Sequence, residues 1–213
     1  MMFLTNLLME KRCCLLLEET LIMINARSEA MQESCDKYNS TMLAVIKLQR
    51  KVIEKELTDS NVWICNENAS GNVTIGGKMT DLDKIKNRIT ELGGRCLPLR
   101  VAGAFHTPLM QHASDNLSEL FNKANVRESN IKTLSNVTGK ILTTETIKTE
   151  LINQIVSPVE WLKTMKTLID YDVTNAIEFG PGQVLSNLLR RTTKDIAIVN
   201  IDKLSDIENL ELQ

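Results

Sequence analysis

A chain of 213 residues that is 43% hydrophobic and 24% charged can bury one large core or two small ones. Its 25 basic and 27 acidic side chains leave no global charge to favour nucleic acid or an anionic membrane, and 4% aromatic content offers no base-stacking platform. The five cysteines, Cys13, Cys14, Cys35, Cys65 and Cys96, are odd in number and lack C-x-x-C spacing, so the composition predicts reduced thiols in the cytoplasm, without disulfide framework or metal site.

The opening "MMFLTNLLMEKRCCLLLEETLIMIN" breaks its apolar run at Glu10, Lys11 and Arg12, which is not signal-peptide order, and no run reaches membrane-spanning length. Cys13 and Cys14 after the basic pair fit either acylation or packing on an apolar helix. Residues 1–40 read as helical, with apolar stretches around 7–17 and 21–31 and no Gly or Pro.

From Thr41 the periodicity changes. "TMLAVIKL" is a strand, "QRKVIEKELTDS" an amphipathic helix and "VWICNEN" a second strand. "NVTIGG" follows a Ser-Gly turn as a third strand, "TDLDKIKNRITELGG" is a helix capped by Thr80 and closed by a Gly pair, and "RCLPLRV" is a fourth strand. That order, βαββαβ, predicts a ferredoxin-like module over residues 41–101, with Met42, Val45, Ile64 and Val73 facing its helices.

Next comes "VAGAFHTPLM", which holds one of the two histidines. Thr107 and Pro108 are an N-cap and first helical position, and the apolar residues Leu109, Met110, Ala113, Leu117, Leu120 and Phe121 predict a helix over about 108–124. His106 therefore sits just outside a helix N-terminus, where the dipole favours a neutral ring. A packed, hydrogen-bonded histidine and a proton acceptor both fit this decapeptide. Farther on, the pattern predicts a strand near "IKTLSNVTG", a helix over about 144–155, a helix starting near Pro158, a buried strand "NAIEFG", a helix in "PGQVLSNLLRR" and a strand "IAIVNID". Strands alternating with helices imply a mostly parallel α/β layer, with too few strands in 102–213 to complete one.

Five stretches in series, "INARSEAMQ", "NENASGNVTIGG", "VAGAFHTPLM", "QIVSPVEW" and "AIEFGPGQVLSNLLRR", resemble the malonyl-CoA:acyl-carrier-protein transacylases and the acyltransferase domains of polyketide synthases. The resemblance runs over about residues 15–202. It implies an α/β fold: a partial α/β-hydrolase-like large domain in residues 1–40 and 102–213, with the ferredoxin-like small domain inserted at 41–101. It also implies malonyl-CoA as substrate without a further cofactor, and acyl carrier protein as partner in fatty-acid or polyketide synthesis.

In the family a serine in a G-H-S-x-G elbow attacks the thioester and a histidine takes its proton. His106 matches the histidine, and Gln154 the residue whose backbone carbonyl orients it. Arg27 matches the arginine that grips the malonyl carboxylate, which a planar guanidinium can do through two N–H groups. By its residues alone, Arg27 equally fits a helix-surface arginine. Phe105 matches the bulky residue of the malonyl-selective A-F-H signature. Asn66 and Asn68 match the asparagines of a strand over the acyl site, although Ser70 and Asn72 stand where Pro and Gln are usual. Arg190, Arg191 and Lys194 form a basic cluster that suits either an acidic carrier protein or a helix C-terminus.

No Gly-x-Ser-x-Gly occurs in the 213 residues. Counting back from Arg27 puts the serine's place at or beside Met1 and Met2. The resemblance thus covers roughly the last two thirds of an acyltransferase, and it implies a missing N-terminal half and an inactive isolated chain. A non-catalytic docking module is the alternative.

Overall fold

The computed structural model describes residues 15–208. Its first element is α1 (Leu17–Asp36), which absorbs the second predicted apolar stretch. Most of the first stretch, Cys13, Cys14 and the expected serine position lie outside the described residues.

Between α1 and the histidine loop the chain forms β1 (Ser40–Ile46), α2 (Arg50–Leu57), β2 (Val62–Ala69), β3 (Asn72–Lys78), α3 (Met79–Glu91) and β4 (Arg95–Pro98). The strands make one antiparallel sheet in the order β2-β3-β1-β4. Val45, Val62, Val73 and Ile75 face α2 and α3, where they bury Ile53, Leu82, Ile85 and Ile89, with Ile64 packed against the cluster. Met42, predicted for that face, lies on the other one, because side chains alternate along β1 and its neighbours Leu43 and Val45 take the helix side. Thr80 is likewise not a cap. The N-cap of α3 is Lys78, straight out of β3, and the Met79 amide donates to the Asn39 carbonyl instead.

The second layer packs α1 against α4 (Gln111–Asn122) and α5 (Ile147–Asn153), burying Met23, Met31, Met110, Leu117, Phe121 and Leu151. The predicted helix after Pro108 is thus observed as a short 3-10 turn, Pro108–Met110, running into α4. "IKTLSNVTG" is not a strand; only a bridge between Leu134 and Ile141 forms. The buried Glu150 carboxylate organises that segment, accepting from Ser135 Oγ at 2.7 Å and the Val137 amide at 3.3 Å.

The helix expected at Pro158 begins later, as α6 (Trp161–Asp170). The Pro158 to Glu160 segment is extended along β2: Val159 N donates to the Cys65 carbonyl at 2.8 Å, and the Val159 carbonyl accepts from Glu67 N at 2.9 Å. Arg50 Nη1 ties the same joint, donating to Glu67 at 2.9 Å and to the buried Glu160 at 2.7 Å. The chain ends with β5 (Asn175–Phe179), α7 (Val184–Thr192), β6 (Ala197–Ile201) and α8 (Leu204–Glu208). β5 and β6 are parallel, as predicted, but β5 is not buried: Ala176 packs toward Leu189 and Met165, whereas Ile177 is 42% and Phe179 72% exposed. Among the described residues no helix is long and apolar enough to cross a membrane.

The two layers meet where β3 passes the histidine loop. A Cβ on Gly76 would lie 2.6 Å from Cys65 Sγ, 3.2 Å from Ala104 Cβ and 3.3 Å from Thr107 Cγ2. The last two contacts are short, stiff groups that cannot swing aside. Gly76→Ala is therefore expected to cost about 1–3 kcal/mol by overpacking, read as a lowered thermal midpoint.

Candidate functional site

A bulge in β2 builds one wall of the site. Ile64 pairs with Ile75 on the helix face, but the register slips at Cys65, so that Asn66 pairs with Thr74 on the opposite face. One extra residue inverts the pleat. Asn66 and Asn68 thereby leave the face of Val62 and Ile64 and line a cleft, with Asn68 Nδ2 3.5 Å from Thr74 Oγ1. Glu67 turns to the helix side and meets Arg50.

The facing wall is the loop before α4. Ser40 Oγ accepts from the Ala104 amide at 3.2 Å, Thr107 Oγ1 donates to the Ala104 carbonyl at 2.6 Å, and the same hydroxyl accepts from Leu109 N at 3.3 Å. Thr107 is thus the N-cap that the Thr-Pro pair predicts. These bonds hold His106 at φ +60°, a left-handed conformation that costs a non-glycine residue on the order of 1 kcal/mol.

His106 Nδ1 lies 2.8 Å from the Gln154 backbone oxygen. A carbonyl only accepts, so the proton sits on Nδ1, and Nε2 is the ring atom that can take up a proton. Burial drives the imidazole pKa from 6.5 down to about 4, with the Gln154 carbonyl opposing and the Arg27 charge adding. The ring is therefore neutral at pH 7. Gln154 also holds the second group, since its side-chain Oε1 accepts from Arg27 Nη2 at 3.1 Å. Arg27 is 9% exposed, burial alone pulls its pKa down, and among the described residues its Nε has no hydrogen-bond partner. Among the described residues no carboxylate pairs with it.

Arg27 and His106 share one cleft of about 480 Å³ with Phe105, Asn66, Asn68 and Met42. Of the residues selected by sequence, the structure thus gathers Arg27, Phe105, His106, Asn66, Asn68 and Gln154. Thr74 and the Gln154 side chain were not foreseen. A threonine between Val73 and Ile75 breaks the apolar run of β3 and was a readable signal for the first; nothing local signals the second.

The three cations of the predicted cluster point apart. Arg190 Nη2 donates to the Ile198 carbonyl at 3.1 Å, Arg191 lines a separate groove of about 830 Å³ with Lys166 and Gln49, and Lys194 is exposed. Glu178, also unforeseen, caps α7 by accepting from the Leu185 and Ser186 amides, each at 2.9 Å. Despite burial, those bonds and the Ser186 hydroxyl hold its carboxyl below the usual range.

An imidazole depressed to about 4 makes the fold acid-sensitive in a defined window. Above pH 7 it is neutral in both folded and unfolded chains. As pH falls from about 6.5 to about 4 the unfolded chain takes up the proton first, so stability drops by about 3 kcal/mol at most and then levels off. His106→Asn keeps a residue that tolerates positive φ. Its urea midpoint is expected to fall less steeply between pH 7 and 4 than that of the parent chain.

The fold is the mixed α/β fold of acyltransferases. The chain's curated homologues are malonyl CoA-acyl carrier protein transacylases: that of Bacillus subtilis is 30% identical over 196 residues (89% of this chain, 61% of that protein), and that of Staphylococcus aureus strain MSSA476 is 28% identical over 198 residues (90% and 64%). The crystal structure of the Clostridium perfringens transacylase superposes with a TM-score of 0.83 at 28% identity, over 90% of this chain and 62% of that one. A malonyl-transacylase in complex with its type II polyketide-synthase acyl-carrier protein gives 0.84 at 26% identity, over 91% and 65%. The chain thus spans less than two thirds of the length of these relatives. No family model matches it.

Proposed function

We propose that this chain carries the base and the carboxylate-recognition half of a malonyl-CoA:acyl-carrier-protein acyltransferase. The observation that carries the reading is the buried guanidinium of Arg27, unpaired by any described carboxylate, set in one cleft with a neutral histidine and joined to it through Gln154. A desolvated cation without an anion is a costly arrangement that an incoming carboxylate completes. Malonyl differs from acetyl by that one carboxylate. In this reading a serine hydroxyl attacks the thioester carbonyl, His106 Nε2 accepts its proton, and the proton passes to the departing CoA thiolate; a carrier-protein thiol later takes the malonyl group from the serine. Gln154 orients His106 through its backbone carbonyl, Phe105 limits substituents beside the acyl carbon, and Asn66 and Asn68 form the lip of the cleft.

The reading divides the chain into a ferredoxin-like small domain, residues 41–101, inserted in a partial α/β-hydrolase-like large domain formed by 1–40 and 102–213, and places it in the cytoplasm. Support for the insertion is the strand order β2-β3-β1-β4 with both helices on one face. Of the three cations assigned to docking an acidic carrier protein, Arg190, Arg191 and Lys194, only Arg191 lines the groove that also holds Lys166, so the docking reading rests on Arg191. The 213 residues hold no Gly-x-Ser-x-Gly, so the nucleophile is assigned to a polypeptide segment outside them.

The test is intact-mass detection of malonyl on protein. Incubated with malonyl-CoA, the chain alone is expected to gain no adduct, whereas a supplied transacylase fragment bearing Gly-His-Ser-x-Gly gains one only when the chain is present. An adduct on the chain alone would assign the nucleophile to a residue within it. The second reading, a non-catalytic carrier-protein docking module, is favoured by the same missing motif. It predicts carrier-protein binding with no adduct in either mixture.

A further inference from the structure

Gln154 uses both of its carbonyl oxygens at the site. The backbone oxygen accepts from His106 and the side-chain oxygen accepts from Arg27, at 2.8 and 3.1 Å. The amide cannot be turned the other way round, because its Nε2 donates to the Leu151 carbonyl at 3.0 Å, which commits Oε1 to the guanidinium. Nor can it swing out, since Gln154 is 2% exposed and caps the C-terminus of α5.

The residue type matters as much as the contact. A flexible arginine loses rotamer freedom when it must present a fixed fork to a ligand, and a prior contact that holds it removes part of that cost from binding. A glutamate there would hold it too, but as an ion pair, neutralising the charge and competing with an incoming carboxylate. A neutral amide satisfies one N–H and leaves the positive charge of the guanidinium uncompensated by any described carboxylate.

We propose that the Gln154 side chain is a positioning residue for Arg27, holding the guanidinium poised toward the cleft without quenching it, so that one residue sets both carboxylate recognition and base orientation. The proposal rests on the reading that Arg27 binds a carboxylate. It adds that the selectivity Arg27 confers for a dicarboxylic acyl group depends on an uncharged side chain behind it, whose own polar atoms are taken up by Arg27 and the Leu151 carbonyl.

The test is titration of the full chain with malonate, and with acetate as the control, followed by NMR of the His106 ring. Gln154→Met removes the acceptor but keeps the backbone carbonyl. Malonate binding is expected to weaken roughly tenfold, with acetate binding and the His106 Nδ1–H resonance unchanged. Gln154→Glu keeps the acceptor for Arg27 but gives up the donation to the Leu151 carbonyl; it is expected to lose malonate as well, because it neutralises Arg27, and to do so at a pH and temperature where its circular dichroism matches the parent's. Malonate affinity in Gln154→Met equal to the parent's, while Arg27→Met has lost it, would overturn the proposal and leave the reading of Arg27 intact. Binding absent from the parent chain, or undiminished in Arg27→Met, would remove the reading and the proposal together.

Discussion

In the reaction complemented by a Gly-His-Ser-x-Gly fragment, His106→Ala is expected to lower the rate of malonyl adduct formation by roughly 10²- to 10⁴-fold. The magnitude is that of general-base catalysis. It applies because the ring is set up as a base: Nδ1–H is engaged by the Gln154 carbonyl, which leaves Nε2 to accept, and burial keeps the ring unprotonated at neutral pH. A histidine that only packed the loop would show a different pattern. Its removal would lower the thermal midpoint and reduce activity in proportion to folded protein. Alanine at φ +60° carries the backbone strain of His106 without the hydrogen bond to Gln154, so some loss of stability accompanies the substitution. The adduct rate is therefore to be measured well below the variant's midpoint, and a rate within tenfold of the parent under those conditions would exclude His106 as the base.

Arg27→Met is expected to erase the preference for malonyl over acetyl groups, roughly 10- to 100-fold in the ratio of adduct rates, without destabilising the chain. The first half follows from the strength of charge-assisted hydrogen bonds, about 1.5–3 kcal/mol for a group of this kind. The second half is the discriminating one. Arg27 is buried with its Nε unpartnered, and its only hydrogen bond to a described side chain is to the neutral Gln154. Removing an uncompensated buried charge in favour of an apolar side chain of similar length relieves a desolvation cost. The thermal midpoint should hold or rise. Arg27→Lys keeps the charge but not the fork, and is expected to recover only part of the selectivity. A lowered midpoint in Arg27→Met with the selectivity intact would show that the arginine is a structural element of the α1 to α5 contact.

The elements of the βαββαβ segment were legible because each rests on local periodicity: alternation in "TMLAVIKL" and "NVTIGG", and apolar spacing of three and four in "TDLDKIKNRITELGG". The Thr107 cap was legible for the same reason, since a cap is satisfied by the next few amides. Where the pattern misled, a distant segment had supplied the hydrogen bonds. The helix predicted at Pro158 starts at Trp161 because the intervening residues pair with β2, and β5 reads as a buried strand although its outer face, with Ile177 and Phe179, is exposed. An apolar residue declares its own solubility, not whether a neighbour covers it.

By itself the sequence determined which residue types stand on which local elements: a histidine ahead of a capped helix, an arginine within α1, two asparagines near the end of a strand. The tertiary structure alone decided that they face one another. Arg27 and Gln154 meet across 127 positions, and Asn66 reaches the cleft only because the bulge at Cys65 inverts the pleat. Helical and strand periodicities extend over a turn or a few residues, so they cannot carry a contact of that sequence separation. Nor can they register a one-residue slip, whose energy comes from the partner strand rather than from the slipping one.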